Sequence, residues 1–270
     1  MRFVRLRGPD GVVEGHVEDG NVVWANGAVA ALDTETLELP APYELLLPIE
    51  PPEVWCAGVT YERSRDARVD ESGRDVYALA YEADRPELFL KDADARRTVG
   101  PGAPIGVRAD ASWTVPEPEI GLVLGARGTV VGVTIGNDVS SRDIEGANPL
   151  YLPQAKVYAG ACALGPCVAD PVDGPLEIRM RILEGERELW AGETTTARMK
   201  RTFHELVSWL LRDNPVPPGS VLLTGTGLVP PDEFSLAPGH RVEIHVPGIG
   251  MLVNEVVLAT SLLAGSRSTT

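Results

Sequence analysis

Residues 115–124 read Val115-Pro116-Glu117-Pro118-Glu119-Ile120-Gly121-Leu122-Val123-Leu124, and residues 130–138 read Val130-Val131-Gly132-Val133-Thr134-Ile135-Gly136-Asn137-Asp138. Pro116 and Pro118 force the first stretch extended and forbid a helix. Ile120–Leu124 and Val130–Ile135 are apolar runs of strand length, and the second closes on Asp138. On an extended chain Glu117 and Glu119, at i and i+2, point to one face. Two like charges side by side repel unless a cation lies between them. Two readings stay open. One is a solvated edge strand, since Pro118 cannot donate to a ladder. The other is a site for a hard cation such as Mg²⁺ or Mn²⁺, which prefers carboxylate oxygens. Asp138 offers a third carboxylate at a strand end, or else belongs to an Asn-Asp turn capped by Ser140 or Ser141.

Working outward, short strands continue on both sides. Arg2–Arg7, Val12–Val17 and Val22–Trp24 are separated by the turns Gly8-Pro9-Asp10-Gly11 and Asp19-Gly20-Asn21. Leu39–Pro52 is proline-rich and apolar, and reads as a linker. The expected division is a small N-terminal β domain over 1–50 and a larger domain over 51–265. Leu88–Leu90, Val221–Leu223 and Arg241–Val246 read as strands, and Ile178–Leu183 with Glu188–Ala191 as a hairpin. Tyr61–Asp84 is dense in Arg, Asp and Glu and has the look of a lid or an exposed helix. The clearest helix opens at Thr202, where Thr202 and Glu205 have capping-box spacing ahead of Leu206, Val207, Leu210 and Leu211. It should stop by Asp213-Asn214-Pro215. The fold class expected is a mixed, β-rich α+β protein.

Composition narrows the function. The chain has 270 residues, 44% hydrophobic and 23% charged, enough apolar material for a packed domain. No apolar run reaches the roughly 20 residues that span a bilayer, and the first residues lack an apolar signal core. A formal net charge of −15 excludes nucleic acid and anionic membranes as main partners. Cys56, Cys162 and Cys167 show no CxxC spacing, so neither a disulfide framework nor a structural zinc site is expected, and the setting is a reducing cytoplasm. Of 24 basic residues only three are lysines: Lys91, Lys156 and Lys200. Lys156 precedes the small-residue stretch Tyr158–Pro166. It is either desolvated, and so fit to act as a base or hold an oxyanion, or a snorkelling surface lysine. Leu222–Pro231 resembles a backbone amide cradle but lacks a Walker lysine, and a bare loop is its default reading.

The order Glu117-x-Glu119, then Gly136-Asn137-Asp138-Val139-Ser140-Ser141-Arg142-Asp143, then Lys156 with Leu164-Gly165-Pro166, then Leu223-Thr224-Gly225-Thr226 resembles the fumarylacetoacetate hydrolase family. The resemblance covers about residues 55–258. It implies a fumarylacetoacetase-type β-roll catalytic domain with a small N-terminal β appendage. It also implies bound Mg²⁺, with Mn²⁺ or Ca²⁺ as alternatives, on Glu117, Glu119 and Asp138. Lys156 matches the family's active-site lysine, Arg142 a substrate arginine and Thr226 the hydroxyl of the Gly-Thr loop. The resemblance also implies an oligomer, with a homodimer or homotetramer expected.

Two departures bear on the reaction. Ser64 stands where hydrolytic members carry a water-activating histidine, and Glu145 stands where a glutamine is common. Thr60–Arg68, Glu145–Gln154 and Thr226–Pro231 resemble one branch, the 2-keto-3-deoxy-pentonate dehydratases, whose product is 2-oxoglutarate semialdehyde. The expected activity is therefore metal-dependent dehydration of a 2-keto-3-deoxy sugar acid through a metal-stabilised enolate. Lys156, or a carboxylate near it, takes the C3 proton, and Glu145 or Glu62 protonates the departing C4 hydroxyl. Arg142, Thr226, Tyr61 and Lys91 are the expected substrate-binding residues. The alternatives are an acylpyruvate or fumarylacetoacetate-type C–C hydrolase, an oxaloacetate decarboxylase, and a non-catalytic sugar-acid binding protein.

Overall fold

The structure, a computed structural model, describes residues 1–61 and 81–263. Most of the charge-dense Tyr61–Asp84 segment, with Glu62 and Ser64, lies outside the described residues, as does the polar end Ser266–Thr270.

Tight turns set the N-terminal meander. It comprises β1 (Arg2–Gly8), β2 (Gly11–Glu18), β3 (Asn21–Trp24) and β4 (Gly27–Ala30). Asp19 and Gly20 take positive φ values of 46° and 80°, as a two-residue hairpin turn between twisted strands requires. The chain then runs through β5 (Glu44–Leu45), β6 (Glu53–Gly58), β7 (Glu87–Ala93), β8 (Thr98–Val99), β9 (Ile105–Val107) and β10 (Thr114–Val115). Next come β11 (Pro118–Leu124), β12 (Val130–Asp138), β13 (Ser140–Ser141) and β14 (Cys162–Ala169). Two short helices, α1 (Arg142–Ala147) and α2 (Leu152–Lys156), lie between β13 and β14. The last strands are β15 (Glu177–Glu184), β16 (Arg187–Thr195), β17 (Val221–Leu223), β18 (His240–Val246) and β19 (Gly250–Leu258), with α3 (Phe203–Leu210) after β16.

Among the described residues the strands form a 12-stranded sheet, a 5-stranded sheet and the small pair β10–β13. The large sheet runs β4-β3-β2-β1-β14-β12-β11-β17-β6-β7, with β5 on β1 and β8 on β14. The smaller runs β16-β15-β18-β19-β9. Both are mixed: β6–β17, β8–β14 and β9–β19 are parallel and the other pairs antiparallel. One apolar core joins the two sheets, with Ile120, Leu122 and Ile135 from the large sheet and Ile178, Ile182 and Ile244 from the small one. Each such side chain contributes roughly 1.5–3 kcal/mol by leaving water. No helix among the described residues is long and apolar enough to cross a membrane.

The local readings hold where turn and cap chemistry decides. The hairpin β15–β16 extends to Glu184 and Arg187, so its turn is only Gly185-Glu186. Thr202 caps α3, its hydroxyl accepting from the Glu205 N–H at 3.1 Å. The proline-rich stretch before residue 52 is no free linker: β5 lies within it and pairs with β1. The solvated-edge reading of Glu117 and Glu119 fails. β11 lies between β12 and β17, and all seven of its residues are buried. Pro118 is tolerated there because β17 pairs only with Gly121–Val123, so no ladder donor is required of it on that side.

Candidate active site

The β11–β12 register builds the site. Pro118 lies opposite Asn137, which brings Glu117 across from Asp138. The Asp138 N–H donates to the Glu117 carbonyl at 2.9 Å, and the Glu117 N–H to Asn137 Oδ1 at 3.1 Å. Alternation then carries Glu119 to the same face as Glu117. Carboxylate oxygens of Glu117, Glu119 and Asp138 all lie within 4.8 Å of one another, and all three residues are buried. The loop after β17 closes one side. Gly225 takes a φ of +86°, and a Cβ there would stand 2.0 Å from Thr60 Oγ1. Its N–H donates to Glu119 Oε2 at 2.6 Å. Phe89, Glu117, Glu119, Asp138, Arg142, Lys156, Gly225 and Thr226 line one small cleft with Ala57–Val59.

Basic side chains reach the trio from three elements. Lys156, at the end of α2, donates from Nζ to Glu117 Oε2 at 3.0 Å, Asp138 Oδ2 at 2.7 Å and Ser140 Oγ. Its Nζ also sits 5.8 Å from the centre of the Phe89 ring. The surface reading of this lysine is wrong: the residue is 1% exposed. Arg142, first residue of α1, donates from Nε to Glu117 Oε1 at 3.0 Å. Lys91, on β7, forms an ion pair with Asp138. Among the described residues Glu119 forms no ion pair, and the nearby Lys156 charge only partly offsets its environment. Burial first, then the Asp138 and Glu117 carboxylates, push its carboxyl well above the usual range. A buried carboxylate beside two others, all oxygen donors, fits a hard divalent cation such as Mg²⁺, which would offset that repulsion.

The comparisons with known proteins agree with this geometry. A model described as fumarylacetoacetate (FAA) hydrolase C-terminal matches residues 53–257. The chain belongs to the fumarylacetoacetate hydrolase family. A protein of Haloferax volcanii named probable 2-keto-3-deoxyxylonate dehydratase is 52% identical over 215 residues, 78% of this chain and 74% of its own length. The 2-dehydro-3-deoxy-D-arabinonate dehydratase of Saccharolobus solfataricus is 44% identical over 218 residues, 77% of this chain and 73% of its own. Among solved structures, 2-keto-3-deoxy-D-arabinonate dehydratase complexed with magnesium and 2,5-dioxopentanoate superposes with a TM-score of 0.83. It is 33% identical, with 95% of this chain and 98% of that one covered.

Of the residues expected from the family resemblance, Glu117, Glu119, Asp138, Arg142, Lys156 and Thr226 meet in the cleft. Glu145 is buried, one turn along α1 from Arg142. Ser141 stands at the N-cap of α1 without a side-chain capping bond, and Ser140 Oγ donates to the Asp138 carbonyl at 2.9 Å. Tyr61 is 1% exposed, and its hydroxyl has no hydrogen-bond partner among the described residues. Burial, then Glu119, push that phenol upward. Tyr61 and Lys91 stand outside the residues that line the cleft. Sequence reasoning missed Phe89, Ser140, Asn137 and the Gly225 N–H as parts of this fumarylacetoacetate hydrolase-family site. Phe89 had no usable signal, because the register of β7 shifts between Leu90 and Asp92 and simple alternation from Lys91 does not place it. The Gly225 amide had none either, because only the fold brings it to Glu119.

Proposed function

We propose that this protein is a Mg²⁺-dependent 2-keto-3-deoxy-pentonate dehydratase, a hydro-lyase that forms 2-oxoglutarate semialdehyde. The observation that carries this reading is the buried trio Glu117, Glu119 and Asp138 with Lys156 between two of its members, in a chain 52% and 44% identical to two such dehydratases. When bound on Glu117, Glu119 and Asp138, Mg²⁺ supplies a Lewis acid for the substrate's carboxylate and 2-keto oxygens.

The chain's own groups do the rest. Arg142 and Thr226 line the cleft and suit a carboxylate and a sugar-acid hydroxyl. Tyr61 shapes the wall behind the Gly225–Gly227 loop, where a Cβ on Gly227 would meet its ring at 2.4 Å. Lys156 Nζ is the group we assign to the C3 proton, and Glu145 the acid for the departing C4 hydroxyl, with Glu62 as the alternative acid. Loss of that proton and hydroxyl removes one water and leaves a C3–C4 double bond. A proton moved from C5 to C3 then gives the enol of the 5-aldehyde. Two well-placed proton-transfer groups therefore serve both halves of the reaction. The three free, buried cysteines support a reducing cytoplasm as its setting. A homodimer or homotetramer is proposed alongside, with light scattering on the eluted protein as its check.

The test is an assay of EDTA-stripped protein on 2-keto-3-deoxy-pentonate with and without Mg²⁺, coupled to a 2-oxoglutarate semialdehyde dehydrogenase. Semialdehyde formation that needs the metal is expected. Cleavage of acylpyruvate without dehydration would instead make the protein a C–C hydrolase. Calorimetric binding of 2-keto acids with no turnover would make it a binding protein.

A further inference from the structure

Lys91 holds one of only three lysines in the chain at a position whose side chain is 0% exposed. An ammonium buried this far must be paired and hydrogen-bonded. Its Nζ forms an ion pair with Asp138 Oδ1 and donates to the Val139 carbonyl at 3.1 Å. The other oxygen of the same carboxylate, Oδ2, accepts from Lys156 at 2.7 Å. Asp138 is thus gripped from two sides. Lys156 lines the cleft, and Lys91 approaches from β7 behind it. Ion pairs on both oxygens oppose rotation of that carboxylate about its terminal torsion, which is otherwise broad.

We propose that Lys91 is a positioning residue for the cation site. It anchors Asp138 through Oδ1 and steadies the end of β12 through the Val139 carbonyl, so that the carboxylate keeps the orientation in which it faces Glu117 and Glu119. In this proposal Lys91 acts on Asp138, in place of the substrate contact expected from sequence. The inference rests on the Mg²⁺ reading above and adds a residue to it.

The experiment titrates EDTA-stripped protein with Mn²⁺, used as the probe and followed by electron paramagnetic resonance with no substrate present. Lys91→Met should bind Mn²⁺ about tenfold or more weakly than wild type, the usual effect of losing a group that orients a ligand. Its bound-ion line shape should change, and Lys91→Arg, which restores the charge, should fall between the two. At saturating Mn²⁺ the KM for 2-keto-3-deoxy-pentonate should stay within about twofold, because no substrate contact is lost. Unchanged Mn²⁺ affinity with a raised KM overturns the proposal and makes Lys91 a substrate residue. Tighter Mn²⁺ binding overturns it too, since Lys91 would then only oppose the ion. Should the Met variant not fold, Lys91→Arg alone decides: weaker Mn²⁺ binding at unchanged KM supports positioning, and wild-type affinity rejects it. Failure of the wild type to bind Mn²⁺ would sink the metal reading itself, a result distinct from equal binding by wild type and variant.

Discussion

In the mechanism proposed above Lys156 is both a reacting group and a counter-charge, and the two roles separate on substitution. Lys156→Met removes the amine that bridges Glu117 and Asp138. Turnover should be lost, and the metal-free variant should be destabilised by about 3–5 kcal/mol in urea titrations, the usual cost of leaving a buried charge alone. Added Mg²⁺ should recover much of that loss; a variant as stable as wild type without metal would show that the amine bears no such load. The thiols make a second residue-scale case. Burial pushes Cys162 and Cys167 up to about 12 and raises Cys56 as well. At pH 8 almost no thiolate forms, so native protein should resist a thiol reagent that labels all three cysteines in urea. The carboxylate trio, Arg142 and Lys156 were legible in sequence because they recur as an ordered set of residue types. The part of Lys91 was not, because a side chain's direction across a sheet depends on which strands lie beside it.

At the scale of elements, the turns and the helix cap could be read from a few adjacent residues, since their hydrogen bonds are local. β15–β16 and α3 follow from Gly185 and from Thr202 with Glu205 in this way. The burial of β11 could not be read so. It depends on β17, whose residues lie about a hundred positions later and pair with Gly121–Val123. Pro118 pointed to an edge, and only that pairing makes the strand interior. The loop after β17 is equally non-local, as Gly225 meets Thr60 on one side and Glu119 on the other. Gly225→Ala should therefore cost about 1–3 kcal/mol from its left-handed backbone alone. It should also weaken metal binding by moving the N–H that holds Glu119. Chemical denaturation and a Mn²⁺ titration check the two effects separately.

For the whole molecule, charge and pH act through the site at its centre. A carboxyl raised in the fold, as Glu119 is, holds a proton that the unfolded chain releases, so metal-free stability falls as pH rises from the ordinary carboxylate value towards the raised one. A divalent ion needs that proton gone. Its stabilising effect should grow over the same window, and the gain in Tm on adding Mg²⁺ should be larger at neutral pH than in mild acid. The division at residues 50 and 51 remains our proposal for the chain's organisation. It is supported by the start of the family match at residue 53, while the core draws Val4, Leu6 and Val22 into the same cluster as Ile120. The join between β1 and β14 also has a consequence in time. Arg2 and Phe3 find their partners at Ala169 and Val168, which leave the ribosome long after them. At 5–20 residues per second that delay is roughly 10–30 s. Until then the Arg2–Phe3 end of that edge waits unpaired, beyond the part that β5 covers, close to the identical edges that neighbouring ribosomes on the same message are releasing.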